Sequence, residues 1–124
     1  NGHAIECRVN AEHPETFIPS PGRITTFQIS GGPGIRVDTA AHPDCVISPH
    51  YDSLVAKVIT RGNSRQEAIS RMRRILDLMV IEGIKTSVPL LRRIMADPDF
   101  IEGRLSTHFL EKSLFRKDRT GSGS

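Results

Sequence analysis

The chain has 124 residues, a formal net charge of +3, 37% hydrophobic residues and 25% charged ones, which suits one domain with its own core and leaves no room for two. No apolar run approaches the ~18 residues needed to cross a bilayer. Aromatic residues are only 5% with no Trp, so platforms for stacking bases are scarce, and neither a membrane nor a nucleic-acid partner is expected.

The chain opens on Asn1-Gly2 rather than Met, which reads as a piece of a longer protein. "AIECRVNAE" (4–12) alternates: Ile5, Cys7, Val9 and Ala11 share one parity, Glu6, Arg8, Asn10 and Glu12 the other. Period two marks a half-buried strand. Arg8, two residues from Glu6, is either a satisfied surface ion pair or a cation aimed at a ligand.

"HPETFIPSPG" (13–22), with three prolines, reads as an ordered extended loop. "RITTFQI" (23–29), the turn "SGGPG" (30–34) and "IRVDTA" (35–40) read as a hairpin. A second proline-bearing loop, "AHPDCVISPHYDS" (41–53), leads to a strand "LVAKVITRG" (54–62). The period then changes. Ser64 and Glu67 have capping-box spacing, and Ala68, Ile69, Met72, Ile75, Leu76 and Met79 predict an amphipathic helix that leaves at Gly83. "SVPLLRRIMAD" (87–97) predicts a second helix, with Pro89 in its first turn, and "STHFLEKSLF" (106–115) a third. Residues 1–115 make the domain, and 116–124 a disordered tail or an expression scar. Strands first and helices later give an α+β fold, a mostly antiparallel sheet with flanking helices.

Most chemical motifs have a structural reading that suffices. "SGGPG" precedes a strand, whereas a phosphate loop must feed a helix whose amides face the anion. His42-x-x-Cys45, with His3, His13 and His50 elsewhere, lacks the paired spacing of a tetrahedral site, so no metal site is expected. Cys7 and Cys45 read as inert thiols of a reducing compartment. Arg71, Arg73, Arg74, Arg92 and Arg93 read as solvated helix faces. Tyr51 and Asp52, in "SPHYDS", are either a turn capping local amides or a ligand contact.

"GHAIECRVNAE", "FIPSPGRI", "GIRVD", "SPHYDSLVAKVI", "GIKTSV" and "HFLEKSL", in order from residue 2 to about 114, resemble the C-terminal domain of biotin carboxylase. The resemblance implies the third part of an ATP-grasp enzyme. Such an enzyme uses ATP, Mg²⁺ and bicarbonate to make carboxyphosphate, then carboxylates biotin on a biotin carboxyl carrier protein. It also implies that Arg8 contacts bicarbonate and the biotin ureido oxygen, with Tyr51 and Asp52 as further binding candidates. ATP and Mg²⁺ would be held by upstream ATP-grasp domains, so the fragment alone is expected to be inactive. A homodimer is implied too, with Arg36 at its interface, while Pro33 stands where some members carry a bulkier residue. The motifs look closest to the biotin carboxylase component of acetyl-CoA carboxylase in fatty-acid synthesis, cytoplasmic in bacteria and in the plastid or mitochondrial matrix otherwise. The alternative is a non-catalytic dimerisation or scaffold module in which Arg8 is merely paired with Glu6.

Overall fold

The computed structural model describes residues 2–50 and 52–103. The expected third helix at 106–115 and the tail lie outside these residues.

Among the described residues ten elements follow one another: β1 (His3–Asn10), β2 (Gly22–Arg23), β3 (Thr26–Gln28), β4 (Ile35–Thr39), β5 (Val46–Ile47), β6 (Leu54–Gly62), α1 (Arg65–Leu78), β7 (Val80–Glu82), α2 (Val88–Ala96) and α3 (Pro98–Ile101). The central sheet is antiparallel in the order β1-β6-β4. Its register sets Ile5 opposite Thr60, Cys7 opposite Val58 and Val9 opposite Ala56. These pairs form the buried face, and α1 covers it with Ala68, Ile69, Met72, Ile75 and Leu76. Where Thr60 must enter that core, its hydroxyl donates to the Ala68 carbonyl at 2.8 Å, so no polar group is left unpaired there.

The start of α1 has the expected chemistry. Ser64 Oγ accepts from Glu67 N at 3.1 Å, and the Glu67 carboxylate accepts from Asn63 N, one residue ahead of the cap. Its exit differs from expectation. The helix ends at Leu78, Met79 is already extended, and the chain passes straight into β7 before reaching Gly83. Arg92 from α2 makes a glycine exit unnecessary: its Nε donates to Leu76 O at 2.9 Å and its Nη2 to Met79 O at 3.1 Å. A guanidinium there adds to the long cap bond from Met79 N to Leu76 O (3.4 Å), gives Met79 O a donor and complements the negative end of the helix dipole.

The expected hairpin of 23–29 with 35–40 does not form. β4 pairs with β6, while the first segment is split in two: β2 pairs with β5 and β3 with β7. The split falls where the backbone changes partner. Ile24 still bonds to Cys45 O, and Thr25 turns to Glu82 O. "SGGPG" is nonetheless a tight turn, closed by Ile35 N donating to Gly32 O at 3.1 Å. The second helix starts at Val88 with Pro89 in its first turn, as expected, and a short α3, unanticipated in the sequence, follows. Arg65 fastens α3 by donating to the Phe100 and Ile101 carbonyls and by lying over the Phe100 ring, 4.8 Å from its centroid.

Candidate functional site

The sheet face opposite the core is polar. The register that buries Cys7 against Val58 necessarily sets Arg8 opposite Lys57, with Asp38 on Lys57's other side, and Glu6 in line with Ile59 and Arg36. Four cations (Arg8, Arg36, Lys57 and Arg61) and two carboxylates therefore share this face. Two ion pairs form along strands: Arg8 Nη1 with Glu6 Oε2 at 3.2 Å and Arg36 Nε with Asp38 Oδ1 at 3.0 Å. Lys57 has no ion pair among the described residues.

The two arginines differ in kind. Arg36 lies on the edge strand β4 with its side chain 73% exposed, where such a pair contributes little. Arg8 is only 15% exposed, and its Nε is buried without a partner among the described residues. An unmet buried donor costs about 1–3 kcal/mol. Glu6 occupies one of the five guanidinium N–H groups and fixes the plane of the rest.

The strand is clamped beneath this arginine. Ser87, at the start of α2, accepts from Asn10 N at 3.0 Å and donates through its hydroxyl to Arg8 O at 3.3 Å. Its own N–H donates to Asn10 O at 3.0 Å. Ser87 thus spends its hydroxyl on β1 and makes no side-chain cap for its own helix. This role is invisible in the sequence, because the partners are 77 residues apart. Ser87→Ala should leave Asn10 N without its acceptor in a buried setting, costing about 1–3 kcal/mol. A thermal melt of the chain should show the midpoint falling by at least ~4 °C, and an unchanged midpoint would contradict the clamp.

Asp52 sits in the segment entering β6. Its Oδ1 accepts from Leu54 N at 3.1 Å, and the neighbouring Ser53 O accepts from Ala11 N at 2.8 Å. That is the turn geometry among the two readings, placed at the end of the sheet where β1 leaves. Tyr51 lies outside the described residues. The histidines and cysteines do not gather: among the described residues no group of three or more His, Cys, Asp or Glu side chains is placed to hold a metal ion. Burial, with Glu6 beside it, pushes the Cys7 thiol far up, so it stays protonated and is no nucleophile. No helix among the described residues is long and apolar enough to cross a membrane. A cleft of about 500 Å³ lies elsewhere, between the 13–16 loop, β7 and the start of α2, and does not include Arg8.

Comparison with known proteins agrees with this architecture. The family model described as the biotin carboxylase C-terminal domain matches residues 6–112. This chain belongs to that family. It is 51% identical over 113 residues to the biotin carboxylase of Allochromatium vinosum, covering 91% of this chain and 25% of the relative. It is 51% identical over 111 residues to biotin carboxylase 1 of Bacillus subtilis, covering 89% and 25%. Among solved structures, the biotin carboxylase domain dimer of Hydrogenobacter thermophilus 2-oxoglutarate carboxylase, in complex with MgADP, ADP and bicarbonate, superposes with a TM-score of 0.85. Its identity is 46%, over 90% of this chain and 25% of that one. The chain thus spans about a quarter of the length of these relatives.

Proposed function

We propose that this chain is the C-terminal part of a biotin carboxylase and that Arg8 is its contribution to the reacting centre. The observation that carries the reading is a guanidinium on the non-core sheet face, only 15% exposed and already oriented by Glu6. Such a group fits bicarbonate or a ureido oxygen, since it offers parallel donors and stays charged at any relevant pH. Biotin, when bound, supplies the ureido nitrogen that takes up the carboxyl group, and ATP with Mg²⁺ supplies the activation of bicarbonate. Arg8 holds an oxygen in place and stabilises negative charge developing on it, with little reorganisation because β1 is clamped by Ser87. ATP and Mg²⁺ belong to the rest of the longer protein in this reading, since "SGGPG" closes a strand turn here.

The biotin rides on a biotin carboxyl carrier protein, and the intact enzyme is a homodimer in this reading, supported by the relative described as a biotin carboxylase domain dimer. The exposed Arg36 on edge strand β4 is its interface candidate. Within this reading we favour the acetyl-CoA carboxylase of fatty-acid synthesis, in the cytoplasm, on the likeness of "ECRVNAE", "PSPGRI" and "GIKTSV". Relatives named for pyruvate and 2-oxoglutarate match at 47% and 46% identity, and in this reading the final acceptor is chosen by another component.

The test compares the isolated chain with the full-length protein. The isolated chain should melt cooperatively yet show no bicarbonate-dependent ATP hydrolysis, and the full-length protein should hydrolyse ATP and carboxylate free biotin. ATP hydrolysis by the isolated chain would overturn the division of labour. A full-length protein that dimerises but never carboxylates biotin would favour the scaffold reading.

A further inference from the structure

Lys57 stands in the middle of β6, directly opposite Arg8 on one side and directly opposite Asp38 on the other. Residues paired in this way carry their side chains on one face, with Cβ atoms about 4.5–5.5 Å apart. The pairing is regular at this point, since the shift between β1 and β6 falls beyond it, between Val9 and Asn10. Both neighbours of Lys57 have found other partners, Arg8 in Glu6 and Asp38 in Arg36. Lys57 itself is half-buried and has no ion pair among the described residues.

We propose that Lys57 is a binding determinant of the Arg8 site: its ammonium supplies the net positive charge that draws a small oxyanion, bicarbonate in the first place, to the guanidinium. The inference rests on the reading of Arg8 given above and adds to it the source of the attraction.

Arg8 and Glu6 together carry no net charge, so by themselves they pull only weakly on a distant anion. Along the face, Glu6 and Asp38 each offset one arginine, which leaves Lys57 and Arg61 as the excess. Arg61 lies opposite Ala4, four residues along the strand from Arg8, whereas Lys57 is beside it. The other face of this sheet is the apolar core, a wall of low dielectric that screens these charges less than water would.

This placement costs the sheet stability. Like charges directly across a strand pair repel, and a half-buried ammonium gives up hydration with no carboxylate in return. Both costs are relieved when an oxyanion settles beside Arg8, since one negative charge then faces two cations. The rival explanation is a structural lysine, held by Asp38 or by a carboxylate from the rest of the longer protein.

The experiment uses the full-length enzyme with Lys57→Met, Lys57→Arg and Arg8→Ala. It measures KM for bicarbonate in ATP hydrolysis without biotin, KM for ATP, and the melting temperature. Each KM is taken at ~0.1 M and ~1 M salt, where charges are felt over about 10 Å and about 3 Å. Lys57→Met should raise KM for bicarbonate about tenfold over the parent at the lower salt, the effect of one charge a few ångströms away. At the higher salt the ratio should shrink, and Lys57→Arg, which keeps the charge, should stay close to the parent. KM for ATP should not move, and the melting temperature of Lys57→Met should hold or rise, because a like-charge contact is gone. An unchanged bicarbonate KM in Lys57→Met at the lower salt overturns the inference, whatever the melting temperature does. So does a raised KM that salt leaves alone or that Lys57→Arg shares, since packing rather than charge would then be its cause. Lost carboxylation in Arg8→Ala, with Lys57→Met neutral, defeats only the role of Lys57. An Arg8→Ala enzyme as active as the parent defeats the assignment on which it rests.

Discussion

Arg8→Ala in the full-length enzyme should lower biotin carboxylation about a hundredfold or more, the usual cost of deleting one donor aimed at developing negative charge. Stability should hardly change. The side chain lies on the sheet face opposite Ile5, Cys7 and Val9, so the core keeps its packing. The lost contact is a single part-buried pair with Glu6, and its loss is offset because the buried Nε without a partner goes with it. Arg8→Lys should recover little, because an ammonium returns the charge without the planar fork. Rates of free-biotin carboxylation, measured beside a melt of each variant, separate this from the ion-pair reading, in which turnover stays near that of the parent.

The largest effect on folding should come from a residue far from Arg8. Gly83 has φ +103°, a region closed to most side chains, and a Cβ there would collide with the Arg23 carbonyl oxygen and approach Thr25 N at 2.8 Å. Those backbone atoms lie at the point where the strand segment changes partner from β5 to β7, so they have nowhere to retreat. Gly83→Ala should cost about 3 kcal/mol or more, combining backbone strain with overpacking. Urea denaturation of the chain would measure it; a loss below ~1 kcal/mol, small beside such strain, would mean that the crossing can spread.

What could be read from the sequence follows the range of each interaction. β1, β6, α1 and α2 declare themselves locally, because apolar residues recur at two or at three and four positions, and because Ser64 with Glu67 and Pro89 mark helix starts. The hairpin was legible only in part. "SGGPG" does turn, but β3 finds its partner in β7, more than fifty residues on, and three residues of β7 are too few to show a period. Gly83 resembles a helix exit in sequence, while in space it makes room for Arg23 and Thr25. Arg8 stood out through its spacing to Glu6, and the family resemblance supplied its chemistry. Ser87 did not, since its partner Asn10 lies 77 residues away in the chain and nothing near either residue announces the other.

That separation also has a meaning in time. The strand bearing Arg8 emerges from the ribosome first, and the serine that fastens it follows 77 residues later, about 4–15 s at ~5–20 residues per second. Throughout that interval the nascent strand has its sheet neighbours at best, without the bolt that stiffens the arginine's backbone. The backbone beneath this arginine is therefore fixed only once Ser87 and α2 have been made, a late event in the synthesis of this domain.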